Sequence, residues 1–282
     1  MIALLKRSLT GCVVVALTIG AIYAGGCYVV VLLWAIMNMG LYEWQRLCKQ
    51  MKCDLPSVWL YALGNLAYGM IVSGFYEDAG HIRGTWASAL VWVCVLVMAV
   101  MFASSIFIPE NGRWGRIWQR MGMTLGGVAY ISISLALLNS LSEPFHEDGS
   151  HVLMGFFVLI WSGDVFAYLV GSMFGRHKLC ERLSPSKTWE GAVGGFAFAV
   201  AAGLLWGTLV LEDMPLGSWM GLSVLVVLCG MLGDLVESKI KREAGVKDSG
   251  CVLPGHGGIL DRFDSVLLAS PVSVAFCHLI GL

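Results

Sequence analysis

Long apolar runs, separated by short polar turns, constrain this chain more than any other feature. They fall at about Leu9 to Ala24, Cys27 to Leu41, Val58 to Phe75, Thr85 to Ile108, Gly122 to Leu138, His151 to Met173, Gly191 to Leu211, Leu216 to Val236 and Phe263 to Leu282. A helix rises about 1.5 Å per residue, so about 20 residues cross about 30 Å of hydrocarbon. The runs are too long for strands and lack the alternation of a membrane barrel. The sequence therefore predicts an all-α, polytopic integral membrane protein with about nine transmembrane helices. The first two runs are short, and either spread into their flanks or form a hairpin that crosses incompletely. The stretch Met1 to Ala24 has the basic start and apolar core of a signal peptide, but it leads straight into a second apolar run and reads as the first span. Composition agrees: 57% of residues are hydrophobic and 13% charged, against about 25% charged in a soluble domain. No stretch suffices for a separate soluble domain. Residues 1–282 read as a single membrane domain, with motif-poor helices in 1–150 and the chemistry in 151–282.

Charge tests this count independently. With the N-terminus inside, one face collects Lys6 and Arg7; Arg46, Lys49 and Lys52; Arg113, Arg116 and Arg120; Arg176, Lys178, Arg182 and Lys187; and Lys239, Lys241, Arg242, Lys247 and Arg262. That is 17 of the 18 basic residues, leaving Arg83 on the other side with Glu77, Asp78, Glu143, Glu147, Asp148, Glu212 and Asp213. The split follows the positive-inside tendency and favours an odd number of spans, N-terminus in and C-terminus out. Most of the nine cysteines, including Cys12, Cys27, Cys94, Cys229 and Cys277, lie in apolar runs and read as small buried hydrophobes without a CxxC metal signature. The many glycines read mainly as close helix packing, and Gly25-Gly26 as a turn between the first two spans. No basic tail or arm points to nucleic acid.

Three regions break the apolar pattern, all on the basic face. The first is Trp161-Ser-Gly-Asp164 inside the sixth run, where a carboxylate needs a polar cavity, a metal or an interhelical partner. The second is Ser184-Pro-Ser-Lys-Thr-Trp-Glu-Gly191. Here Ser186 or Thr188 can cap the next helix with Glu190 in its early turns. Equally, hydroxyls of Ser184, Ser186 and Thr188 with the Lys187 ammonium can hold an anion at that helix N-terminus. The third runs from Gly233-Asp234 through Ser238, Lys239, Lys241, Arg242, Lys247, Asp248 and Pro254-Gly-His-Gly-Gly258 to Asp261-Arg262-Phe-Asp264. Asp261 and Asp264 share a face if helical, and Asp234 approaches them if the eighth and ninth spans form a hairpin. Carboxylates beside lysines and arginines suggest Mg²⁺ with a polyphosphate. Zinc ranks low because no His/Cys set has the spacing of a zinc site. His256 can donate to phosphate, orient a carboxylate or act as a base.

The third region, Ser-x-x-Lys-Arg-x₄-Lys-Asp-x₅-Pro-x-His-Gly-Gly-x-x-Asp-Arg-x-Asp from Ser238 to Asp264, resembles the signature of phosphatidate cytidylyltransferases, or CDP-diacylglycerol synthases. The segment Ser184 to Gly191 and Asp164 fit the same family. The resemblance implies CMP transfer from CTP to phosphatidate, Mg²⁺ dependence, and a homodimer in the bacterial inner (cytoplasmic) membrane with its active site facing the cytoplasm. Asp234 and Asp261 match the acidic metal-binding positions, assisted by Asp164 or Asp264, with K⁺ a candidate second cation. On this reading the catalytic set is Asp164, Lys187, Asp234, Lys247, Asp248, His256, Asp261 and Asp264. Ser184, Ser186, Lys187, Thr188, Lys239, Lys241, Arg242 and Arg262 would contact the nucleotide or lipid phosphates. The competing class is an ion-coupled transporter, which predicts matching discontinuities in two halves, whereas the polar signals crowd into the second.

Overall fold

Gly25 and Gly26 take left-handed backbone angles (φ 69° and 50°), which glycine tolerates without a Cβ clash, and there the chain reverses between its first two helices. The computed structural model describes residues 2–78, 113–142, 149–181, 183–210, 215–252 and 257–280. Helix α1 spans Ile2–Ala24 and α2 Cys27–Gln50, followed by α3 at Ser57–Asp78. A continuous rod follows: α4 (Arg113–Gly127), a π-helical stretch (Val128–Ile133), α5 (Ser134–Leu138) and a 3₁₀ turn (Asn139–Leu141). Then come α6 (Gly149–Phe174), a hairpin of β1 (Lys178–Cys180) and β2 (Ser184–Thr188), α7 (Trp189–Leu209), α8 (Leu216–Glu243) and α9 (Leu260–Leu279). The predicted fourth span lies outside the described residues.

Five of the described helical segments are long and apolar enough to cross a membrane: α2, the α4–α5 rod from Trp118, α6, α7 and α8. The rod is the most enclosed, with Ile131, Leu135, Ala136, Leu137 and Leu138 sealed in the core. Elsewhere large apolar side chains face outward, among them Trp59, Leu66, Met70, Tyr168, Met173, Leu205 and Leu232. So much exposed apolar surface suits lipid rather than water.

Two expectations change. Helix α2 does not stop at Leu41 but runs to Gln50, because Trp44, Leu47 and Cys48 keep its buried stripe going; the first two helices spread into their flanks. The all-α reading also gains a small antiparallel hairpin, with Lys178 opposite Thr188 and Cys180 opposite Ser184.

The packing reading of the glycines holds where α6 meets α7. A Cβ on Gly191 would lie 2.7 Å from the Ala167 carbonyl oxygen, and one on Gly195 2.6 Å from that of Gly163. The two backbones touch through small residues spaced four apart, which gives dispersion contact where lipid offers no hydrophobic drive. Helices α8 and α9 pack as the expected hairpin, with Gly233 seated against the Asp264 backbone. The C-terminal ends of α6 and α8 and the N-terminal ends of α7 and α9 are thereby held around one chamber.

Candidate active site

That chamber is a cavity of about 540 Å³, within the range of small-molecule sites, about 300–1,000 Å³. Asp164 reaches it from α6, Ser186, Lys187 and Thr188 from β2, Asp234 and Lys241 from α8, Asp248 from the loop after α8, and Asp261, Arg262 and Asp264 from the start of α9. The three polar regions of the sequence therefore meet in one place. Ser184, Lys239, Arg242 and Lys247 do not line it, and His256 lies outside the described residues.

The hairpin is placed by its anchors. Thr188 caps α7, its hydroxyl accepting from the Gly191 N–H at 3.2 Å, so the cap reading is correct in this structure. Glu190 accepts the backbone N–H of Arg176 (3.1 Å) and of His177 (3.2 Å), and pairs with His177 Nδ1 at 2.6 Å. Arg242 Nε donates to the Leu183 carbonyl at 3.2 Å. Arg242 thus ties α8 to the hairpin tip, and Lys239 pairs loosely with Glu243 at 3.9 Å. Held this way, Lys187 lies over the cavity and its ammonium forms an ion pair with Asp234.

The acidic residues divide into two groups. Asp164, Asp234 and Asp264 all line the cavity and act on one another electrostatically, and Lys187 and Arg262 act on Asp164 as counter-charges. Asp261 looks the other way. Its Oδ1 accepts from Lys241 Nζ at 2.7 Å, while Oδ2 accepts the Ser249 N–H at 3.0 Å and the Gly258 N–H at 2.7 Å. Lys241 also pairs with Glu237 one turn earlier, a spacing that places both on one helix face.

Among the described residues, no three His, Cys, Asp or Glu side chains converge closely enough to hold a metal as they stand. Donor chemistry nevertheless fits a hard divalent cation, since Asp164, Asp234 and Asp264 bring carboxylate oxygens to the same cavity. The Lys187 ammonium seated on Asp234 marks where positive charge is required.

Two carboxylates at this site were not singled out from sequence. Glu237 was readable, because it precedes Lys241 by four residues in a helix. Glu43 is fully buried in α2 and accepts from Ser249 Oγ (2.8 Å) and the N–H groups of Ile259 and Leu260 (2.9 Å each). Its signal was a carboxylate inside an apolar helix, lost because the second span was ended at Leu41.

Residues 5–280 match the model of the Cytidylyltransferase family. The phosphatidate cytidylyltransferase of Pseudomonas aeruginosa is 31% identical to this chain, over 98% of it and 97% of that protein. That of Haemophilus influenzae is 30% identical over 94% of this chain and 96% of its own length. The Brucella abortus protein of the same name is 35% identical over 77% of this chain and 83% of itself.

Proposed function

The chain belongs to the cytidylyltransferase family, and on that premise we propose that it transfers CMP from CTP to phosphatidate, giving CDP-diacylglycerol and pyrophosphate. The observation that carries this reading is the cavity, where Asp164, the Lys187 hairpin and the Asp234–Asp264 region converge from separate stretches of sequence. A transporter has no need for that convergence at one end of the helix bundle.

In the reaction an oxygen of the lipid phosphate attacks the α-phosphorus of CTP. The new P–O bond forms as the bond to the bridging oxygen breaks, and that electron pair leaves with pyrophosphate. The lipid phosphate is already anionic, so no strong base is needed; the obstacle is repulsion between phosphates. Lys187 can exchange Asp234 for a phosphate oxygen, and Arg262 offers a second cation at the rim. Thr188 fixes the start of α7 beneath the hairpin, keeping Lys187 within reach. The Mg²⁺ expected here would be held by Asp234 with Asp164 and Asp264 and would supply positive charge against the departing pyrophosphate. Asp261, engaged with Lys241 and two backbone N–H groups, holds the entry to α9 in register with those carboxylates. K⁺ is the candidate for a second cation.

The same reading takes nine spans, N-terminus in and C-terminus out, in a bacterial inner membrane, with the cavity open to cytoplasmic CTP and the acyl chains left in hydrocarbon. It also takes the working unit to be a homodimer. The sorting of basic residues supports the orientation.

Purified protein incubated with phosphatidate and each labelled nucleotide tests the activity. Label from CTP appearing as lipid-bound CMP is the expected product, and transfer of a γ-phosphate or of a sugar phosphate instead would replace this reading with a lipid kinase or a glycosyltransferase.

A further inference from the structure

Glu43 stands outside every motif, yet residues on both sides of the Pro-Gly-His-Gly segment bond to it. Its side chain is 0% exposed, and the hydrogen bonds it accepts come from neutral donors: the Ser249 hydroxyl before the loop, and the Ile259 and Leu260 N–H groups after it. Those N–H groups belong to the N-terminus of the 20-residue α9, where free donors and the helix dipole favour a negative charge. The surrounding glycines leave room for it. A Cβ on Gly250 would lie 2.8 Å from Glu43 Cδ, and one on Gly258 2.6 Å from its Oε1.

Glu43 and Asp261 grip the same residues from opposite sides. Ser249 gives its hydroxyl to Glu43 and its N–H to Asp261, and the Gly258 N–H goes to Asp261 while the next two go to Glu43. The loop between Ser249 and Gly258 is thus closed at both ends by carboxylates, one from its own helix and one from the motif-poor half. Arg262 and Asp264 sit within two turns of this closure and line the cavity.

We propose that Glu43 is a positioning residue for the transfer site, its carboxylate setting where α9 begins and so aiming Arg262 and Asp264 into the cavity. The proposal rests on reading that cavity as the site of CMP transfer. An amide at position 43 keeps one acceptor and turns an N–H toward backbone donors, so the loop must shift. Misaimed groups damage the transition state more than the ground state, so kcat carries the loss rather than KM.

The test compares full-length wild type with Glu43→Gln, Ser249→Ala and the double variant, by steady-state kinetics and by amide hydrogen exchange. Glu43→Gln is expected to lower kcat roughly tenfold or more while KM for CTP moves less than about threefold. Exchange should accelerate in peptides covering 247–262 and stay at the wild-type rate in α6 and α7. Ser249→Ala, which removes one donor and leaves α9 capped, should give a smaller loss of the same kind that adds little to Glu43→Gln. Wild-type kcat in Glu43→Gln, or acceleration spread evenly over all helices, would overturn the proposal in favour of no role or a general structural one. If Glu43→Gln does not fold, Ser249→Ala decides: loosening confined to 247–262 with reduced kcat supports the proposal, and wild-type behaviour ends it. Failure of the wild type to transfer CMP would instead remove the reading of the cavity, while the exchange pattern still reports on Glu43.

Discussion

Replacing Asp261 by asparagine keeps the side chain's size and removes the charge that closes the end of the signature loop. The carboxylate is 8% exposed and its Lys241 partner 13%, so solvent screening gives little relief. Lys241 retains Glu237, and the variant therefore loses one charge-assisted bond rather than orphaning an ammonium, at about 1.5–3 kcal/mol. The asparagine amide must also point its N–H toward the Ser249 or the Gly258 donor, at about 1–3 kcal/mol for the unpaired group. Relaxation into the adjoining cavity recovers part of this, leaving about 3 kcal/mol, or roughly a hundredfold in the population of the correctly closed loop. Asp261→Asn should therefore lower kcat/KM for lipid CMP formation by roughly a hundredfold or more, and lower the melting temperature in detergent. Glu243→Gln, at an exposed and loosely paired position, is the control and should match wild type. A monodisperse Asp261→Asn protein with wild-type turnover and an unchanged melt would refute this account of the loop.

Lys187→Met should leave the fold intact but raise KM for CTP or phosphatidate by roughly tenfold, because it removes the cation over Asp234; unchanged constants for both substrates would return the lysine to a structural role. Gly195→Ala should destabilise by about 1–3 kcal/mol, since its Cβ meets the Gly163 carbonyl oxygen at 2.6 Å. Gly69→Ala, where a Cβ meets nothing within 4 Å, should be neutral or stabilise by about 0.5–1 kcal/mol, and thermal melts that rank the pair the other way would contradict the α6–α7 contact. In a cysteine-free background, Gly217→Cys should react with an impermeant maleimide only from outside sealed vesicles and Lys239→Cys only from the cytoplasmic side; the reverse would invert the orientation.

The helices were legible where apolar runs are long, and their ends were not. The apolar run behind α2 ends at Leu41, where Glu43 and Arg46 interrupt it, yet the helix goes on. It continues because Glu43 finds its partners 206 to 217 residues away, and no local pattern announces a bond of that span. The hairpin was missed for a related reason: Ser184-Pro-Ser-Lys-Thr188 has neither apolar alternation nor β-branched bulk, and it is held by Glu190 and Arg242 from outside the strands. The site was more legible than the fold around it. Carboxylates and lysines inside apolar surroundings are costly unless they meet one another, so Asp164, Lys187, Asp234 and Asp264 were visible as a group before their meeting place was. What sequence could not divide was their labour, since Asp261 turns to Lys241 and the backbone while Asp234 faces Asp164 and Asp264.

The bond from α2 to the start of α9 also orders events during synthesis. Chains emerge N-terminus first, so α2 is made long before the residues that will hold its carboxylate, 216 positions later for Ile259. Until α9 arrives, a negative charge inside an apolar helix has no helix end to rest on, and α2 has reason to stay near the water interface or shift along its axis. A helix made late thus locks an earlier one into depth, and a ribosome that stalls before residue 259 leaves α2 inserted but not settled.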